Sequence, residues 1–375
     1  MSGVVRKIRA LVVDDSVVMR RLLSDAIASD PALEVVGYAA NGQIALSLLD
    51  KVSPDVITLD IEMPVLDGLA TLKALRTRRC QLPVIVFSTL TERGAEATID
   101  ALALGASDYV AKPSGLGSYH AARDRIRELL LPKMKAVCAR QADVIRVPAG
   151  SIAVPPLRNL RDHWSARVDV IAIGCSTGGP NALAQVLPGL PADLAVPVLI
   201  VQHMPPTFTR FLAQRLNSLC PLPVQEAAGG EVLRPGDVWV APGGSHLTVV
   251  RDGATRRLQL SQAAPENSCR PSVDVLFRSL APVFAGNVLA VVMTGMGQDG
   301  LRGCELLAEA GAQILTQDEA SSVVWGMPGF IAKAGLADAV LPLGEIAGRI
   351  VECAAATAPI RQPGMQQVPC ARALP

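Results

Sequence analysis

Short apolar runs that stop at a glycine, a serine or an acid recur along this chain, with helical stretches between them. The clearest is Val170-Ile-Ala-Ile173, which runs into Gly174-Cys-Ser-Thr-Gly-Gly-Pro180. An unbroken apolar run of this length fits a strand buried on both faces of a parallel sheet. Gly174, Gly178 and Gly179 permit a sharp turn with positive φ, and Pro180 suits the first position of a helix. Ser176 would then stand at the carboxyl end of a strand, where open α/β sheets place their sites. It is a candidate nucleophile.

The alternation predicts two doubly wound α/β units with parallel sheets. In the first, strands are expected over Ile8–Val13, Leu33–Tyr38, Asp55–Leu59, Val84–Phe87 and Tyr109–Ala111, with helices such as Val17–Ala28 and Gly94–Leu104. In the second, strands are expected over Val168–Gly174, Val198–Gln202, Val238–Ala241, Asn287–Thr294 and Gln313–Thr316. Leu247–Arg251 and Arg257–Leu260, joined across Asp252-Gly253, are expected to form a β-hairpin. Between the units, prolines at 148, 155 and 156 and five arginines against two aspartates mark 138–167 as a linker, with a short helix near Leu157–Trp164. The division expected is therefore 1–137, a linker over 138–167, 168–356, and a disordered tail over 357–375.

Composition narrows the function. A chain of 375 residues that is 50% hydrophobic has ample core, but with 3% aromatics that core must be aliphatic. A net charge of +1 gives no reason to expect nucleic-acid binding. The amino terminus lacks signal-peptide character, and no apolar run reaches the roughly 18 residues of a membrane span, so a cytoplasmic protein without membrane insertion is expected. Eight cysteines without a Cys-x-x-Cys pair read as reduced thiols, not as disulfides or a zinc site. Cys175 rivals its neighbour Ser176 as nucleophile, although a buried structural thiol is the simpler reading.

In the first unit Asp14 and Asp15 follow the first strand and Asp60 ends the third. Strand ends in a doubly wound sheet converge, so these carboxylates crowd together and call for a cation such as Mg²⁺. Taken singly, each acid reads as a helix cap. Taken with Ser88 and Lys112 at the next two strand ends, they read as a site. Asp14-Asp15, Asp60 within Asp-Ile-Glu-Met-Pro-Val-Leu-Asp-Gly, Ser88 and Tyr109-Val-Ala-Lys112-Pro113 resemble the receiver domain of bacterial response regulators over residues 8–135. The resemblance implies that Asp60 accepts a phosphoryl group from a sensor histidine kinase. It implies that Asp14, Asp15, Asp60 and the backbone of Glu62 hold Mg²⁺, that Ser88 and Tyr109 form the switch pair, and that Lys112 contacts the phosphate.

In the second unit Gly174-Cys-Ser176-Thr-Gly178 fits a nucleophile elbow, a weak signal alone because glycine-rich turns also bind phosphate. Of four histidines, His120 and His163 lie near or inside the linker and His246 enters the hairpin, whereas His203 follows a strand at the same sheet edge as Ser176. Asp299, in a glycine-rich loop after another strand, is the candidate acid, with a role as N-cap of the next helix open beside it. Asp237 and Asp274 compete. Ser176, Asp237 and His246 would satisfy the α/β-hydrolase order, but Asp237 precedes its strand.

The whole arrangement from residue 8 to 350 resembles the chemotaxis response-regulator protein-glutamate methylesterase family, CheB. The resemblance rests on Gly174–Pro180, Gln202-His-Met-Pro-Pro206, Ala241-Pro-Gly-Gly244, Arg270-Pro-Ser-Val-Asp274 and Met293-Thr-Gly-Met-Gly-Gln-Asp-Gly300. It implies that Ser176 is the nucleophile, His203 the base, Asp299 the orienting acid and the Met296 N–H an oxyanion donor, with no cofactor in that site. The implied reaction is hydrolysis of glutamyl methyl esters on chemoreceptors, with deamidation of receptor glutamines, in an open, shallow site that the unphosphorylated receiver covers. A non-catalytic adaptor of a receptor array and a small-molecule esterase fused to a receiver are the rival readings.

Overall fold

A computed structural model describes residues 6–113, 118–143 and 167–355. The helix expected near Leu157–Trp164 and the tail after 356 lie outside the described residues. The amino-terminal unit runs β1 (Ile8–Val13), α1 (Val17–Ala28), β2 (Leu33–Ala39), α2 (Gly42–Val52) and β3 (Val56–Asp60). It continues with α3 (Gly68–Thr77), β4 (Val84–Ser88), α4 (Glu92–Ala103), β5 (Asp108–Ala111) and α5 (Tyr119–Asp143). Its five strands pair in the order β2-β1-β3-β4-β5, all parallel. Every residue of β3 and β4 is buried, as expected of strands covered by helices on both faces.

Local chemistry sets the helix starts. Ser16 caps α1, Asn41 caps α2, Asp67 caps α3 and Thr91 caps α4, each accepting a backbone N–H of the first turn. Asp14 and Asp60 cap none of these helices. Helix α5 continues to Asp143, past the expected start of the linker, because no glycine or proline interrupts residues 133–147.

The carboxy-terminal unit runs β6 (Val170–Cys175), α6 (Gly179–Val186), β7 (Val198–Gln202), α7 (Phe208–Leu219), β8 (Val224–Glu226) and β9 (Val238–Val240). The hairpin β10 (His246–Asp252) and β11 (Thr255–Ser261) follows, then α8 (Val273–Phe284), β12 (Val288–Val292) and α9 (Leu301–Glu309). The chain closes with β13 (Gln313–Gln317), α10 (Met327–Lys333), β14 (Ala339–Leu341) and α11 (Leu343–Ala355). Seven parallel strands pair in the order β14-β13-β12-β6-β7-β9-β8. The chain leaves β6 toward β7 on one side and later returns to β12 on the other, so the strand order reverses beside β6. That reversal is where open α/β sheets hold their ligands.

The two units pack on each other. One buried apolar cluster extends from Leu59, Val86, Ile99 and Tyr109 of the first into Phe208, Leu212 and Ile173 of the second. Its fill is mainly aliphatic, as the scarcity of aromatics requires.

Candidate active site and phosphoacceptor pocket

Three adjacent strands deliver the candidate triad. β6 ends at Cys175 and Ser176 follows; β7 ends at Gln202 and His203 follows; the loop after β12 carries Asp299. Because β12, β6 and β7 are parallel neighbours, all three side chains reach the same edge. The turn at Ser176 is fixed by its N–H donating to Thr294 O (3.0 Å) and its carbonyl accepting from Gly179 N (2.8 Å). Only Gly178 of the three glycines has positive φ, at 80°. A Cβ there would lie 2.6 Å from Val323 Cγ2. Gly178→Ala is therefore expected to destabilise the fold by roughly 1–3 kcal/mol, measured by chemical denaturation; an unchanged midpoint would contradict it. Pro180 occupies the second helical position rather than the first, since α6 begins at Gly179.

His203 Nε2 lies 2.8 Å from Asp299 Oδ2. Asp299 is 2% exposed and does not cap α9; it serves the start of α8 instead. The N–H groups of Val273 (2.7 Å) and Asp274 (3.1 Å), the Ser272 hydroxyl (2.8 Å) and the Asn267 amide (3.0 Å) all donate to it. Burial alone would raise its pKa, but the His203 bond and these N–H donors hold it below the usual carboxylate range. Burial pulls the His203 imidazole down, yet the Asp299 bond and the Cys269 contact carry it up to about 9. The Met296 N–H donates to no acceptor among the described residues, as an oxyanion donor requires.

The competitors fall elsewhere. His246 is buried, accepts from Ser272 N at Nδ1 (3.2 Å) and faces Ala264 O with Nε2 (3.1 Å). Asp237 precedes β9 at the opposite sheet edge. Asp274 is buried beside Asp299, bridged to it by the Asn267 amide, and does not reach His203. Cys175 is fully buried with Sγ toward Val201 O, and burial pushes its thiol far up.

In the first unit, ligand atoms of Asp14, Asp15 and Asp60 lie within 4.8 Å of one another. Lys112 Nζ sits 2.7 Å from Asp60 Oδ2 and 3.3 Å from Asp14 Oδ2. Burial, reinforced by the Asp14 charge, raises Asp60 to about 6 despite Lys112. Ser88 Oγ donates to Gly94 O (2.8 Å), so it closes the pocket wall without touching the acids. Glu62 lines the same pocket, and its carbonyl accepts from no described backbone group. Tyr109 stands apart from the acids; it is buried against the second unit.

Residues 171–350 match the family described as CheB methylesterase, and 10–123 the response regulator receiver domain. A protein-glutamate methylesterase/protein-glutamine glutaminase of Trichodesmium erythraeum (strain IMS101) is 51% identical over 346 residues, covering 92% of this chain and 98% of its own. Its counterpart from Nocardioides sp. (strain ATCC BAA-499 / JS614) is 50% identical, covering 92% and 94%. The chain belongs to the protein-glutamate methylesterase/protein-glutamine glutaminase family. Among solved structures, the catalytic domain of Thermotoga maritima CheB methylesterase aligns at 38% identity and a TM-score of 0.49, over 49% of this chain and 98% of that one.

The chain is thus a hydrolase behind a response-regulator receiver domain. No helix among the described residues is long and apolar enough to cross a membrane. The receiver lies against the edge that carries Ser176, His203 and Asp299. Tyr109 stacks on Phe208 with ring centroids 5.1 Å apart, Arg210 pairs with Glu92, and Asn181 Nδ2 donates to Ala106 O (3.3 Å). A cleft of about 530 Å³ remains between them, with Tyr109, Lys112 and Leu129 facing His203, Cys269 and Arg270. The receiver therefore lies over this edge and leaves the cleft between them. Gln202, whose amide donates to the carbonyls of Ser176 (3.0 Å) and His203 (3.3 Å), and Ser272 were quoted from the sequence only within motifs and given no role, and Asn267 and Cys269 were not singled out. Gln202 is adjacent to His203 in sequence and Ser272 lies in the Arg270–Asp274 motif; Asn267 reaches the site through the fold alone.

Proposed function

We propose that the chain hydrolyses glutamyl methyl esters on chemoreceptors and deamidates receptor glutamines, with phosphorylation of Asp60 releasing its receiver from the catalytic edge. The observation that carries this is the His203–Asp299 pair, on strands that flank the one bearing Ser176. In this reading Ser176 Oγ attacks the ester carbonyl while His203 takes its proton at Nδ1, the nitrogen not bound to Asp299. The tetrahedral charge falls against the Met296 N–H, one donor being worth about 3–4 kcal/mol in comparable sites. Methanol leaves with the proton from His203, and water then releases the acyl group. Deamidation uses the same steps with ammonia as leaving group. The chain divides accordingly into a receiver whose last helix runs to Asp143, a linker after it, a catalytic domain over 168–356 and a tail.

The acid pocket fits Mg²⁺: three carboxylates converge, and buried Asp14 Oδ2 has only the Lys112 ammonium beside it, at 3.3 Å. Asp14, Asp15, Asp60 and the Glu62 carbonyl would hold it. When bound there, the ion offsets the negative charge of an incoming phosphoryl group. Asp60 accepts that group from a histidine kinase, Lys112 pairs with its oxygens, and Ser88 and Tyr109 report it. Tyr109 is the member of that pair that touches the catalytic unit, through Phe208.

Peptide mass spectrometry of a methylated receptor fragment tests the reaction. Glutamyl methyl esters and selected glutamines should both become glutamates. Conversion of generic small esters with the receptor untouched would favour the small-molecule esterase instead.

The pH dependence tests the dyad. The imidazolium must lose its proton to act as base, so kcat/KM should rise with pH along a limb centred above the ordinary 6.5. Asp299→Asn removes the partner that raises His203, so its limb should move to lower pH while the plateau falls by up to roughly four orders of magnitude. A pH–rate profile with an unmoved limb would contradict the assignment.

A further inference from the structure

Both ring nitrogens of His203 are engaged. Nε2 lies 2.8 Å from Asp299 Oδ2, and Nδ1 lies 3.5 Å from Cys269 Sγ, a hydrogen-bonding distance for sulfur. Among the described residues no hydrogen bond joins Ser176 Oγ to either nitrogen. An imidazole offers one hydrogen-bonding position per nitrogen, so it cannot serve Asp299, Cys269 and Ser176 together. Asp299 is the fixed partner, because Asn267, Ser272, Val273, Asp274 and Gly300 all donate to it. Nδ1 is the position that must change hands, and a thiol is its weakest holder.

Cys269 is also placed where the receiver can reach it. It closes the tight turn Glu266–Cys269, where Glu266 N donates to Cys269 O (3.1 Å) and Cys269 N to Glu266 O (2.9 Å). Asn267 in that turn donates to Asp299 Oδ1 (3.0 Å) and to Asp274 Oδ2 (2.8 Å), which ties the turn to the acid that orients His203. Ser268, Cys269 and Arg270 line the interdomain cleft together with Tyr109, Lys112 and Leu129. His203 lines the same cleft, so the thiol and the imidazole that it touches both face the receiver.

We propose that Cys269 is a positioning residue whose thiol holds His203 Nδ1 away from Ser176 while the receiver covers the cleft, and yields that nitrogen to the serine when the receiver moves. The inference rests on Ser176 and His203 being nucleophile and base. It takes Cys269 out of the bond-making steps and makes it a second restraint on the covered enzyme, alongside steric occlusion.

The test uses the full chain, labelled with ¹⁵N-histidine, as Cys269→Ala and Cys269→Ser variants, with Ser176→Ala measured alongside. Without phosphodonor, Cys269→Ala should raise kcat for methanol release roughly three- to tenfold, the shift one ordinary hydrogen bond supports, with KM unchanged. The gain produced by phosphodonor should shrink by the same factor. The His203 Nδ1 signal should move in Cys269→Ala and return in Cys269→Ser, whose hydroxyl restores a partner and the low rate. An unmoved signal, or a moved signal with an unchanged or lower rate, overturns the inference while an inactive Ser176→Ala leaves the nucleophile in place. If Ser176→Ala still releases methanol, the nucleophile assignment falls and takes this inference with it.

Discussion

Ser176→Ala is expected to slow methanol release by roughly four to six orders of magnitude, with the thermal unfolding midpoint essentially unchanged. Among the described residues the side chain makes no hydrogen bond, and the turn is held by the backbone bonds to Thr294 and Gly179, which alanine keeps. Its neighbour cannot substitute, since Cys175 is buried within the sheet and its thiol resists ionisation. His203→Ala should be nearly as damaging, because the base and nucleophile act as one unit. Near wild-type turnover in Ser176→Ala would remove the serine from the mechanism. A mild His203→Ala beside an inactivating His246→Ala would move the base to the hairpin.

Asp60→Asn should abolish phosphoryl incorporation and, with it, all activation of the esterase by a phosphodonor. The amide keeps the shape of the pocket but loses the nucleophilic oxygen and the charge that pairs with Lys112 at 2.7 Å. Incorporation in the parent chain should require Mg²⁺, because Asp14, Asp15 and Asp60 converge within 4.8 Å with one lysine to balance them. Labelling that survives Asp60→Asn, or proceeds normally in chelator, would place the phosphoryl group elsewhere.

The sequence made much of this visible because strand ends are legible. Asp14, Asp60, Ser88, Lys112, Ser176, His203 and Asp299 each follow or end an apolar run, and a parallel sheet gathers such ends at one edge. The five strands of the first unit and the hairpin lie close to their expected places, whereas β8 and β14, of three residues each, are too short to show a period. Asp299 illustrates the limit. Next to Gly300 it reads as the cap of the following helix, but its partners come from the start of α8, some 25 residues earlier in the chain. Asn267 and Cys269 were invisible for the same reason. They belong to the site only because a turn between the hairpin and α8 folds over His203. The cleft had no local signature either, since it arises where Tyr109 of one unit meets Phe208 of the other.

In a phosphorylation-gated hydrolase of this build the covered edge is catalytic and Asp60 controls its cover. The initial rate of methanol release from a methylated receptor fragment by the full chain, with and without an acyl phosphate and Mg²⁺, tests both. A slow basal rate that rises several-fold with the donor, and only when Asp60 is intact, is the predicted result. The closed arrangement then differs from the open one by only a few kcal/mol, a range that a phosphoryl group can bias. Equal rates with and without donor, in a chain shown to be phosphorylated at Asp60, would contradict it.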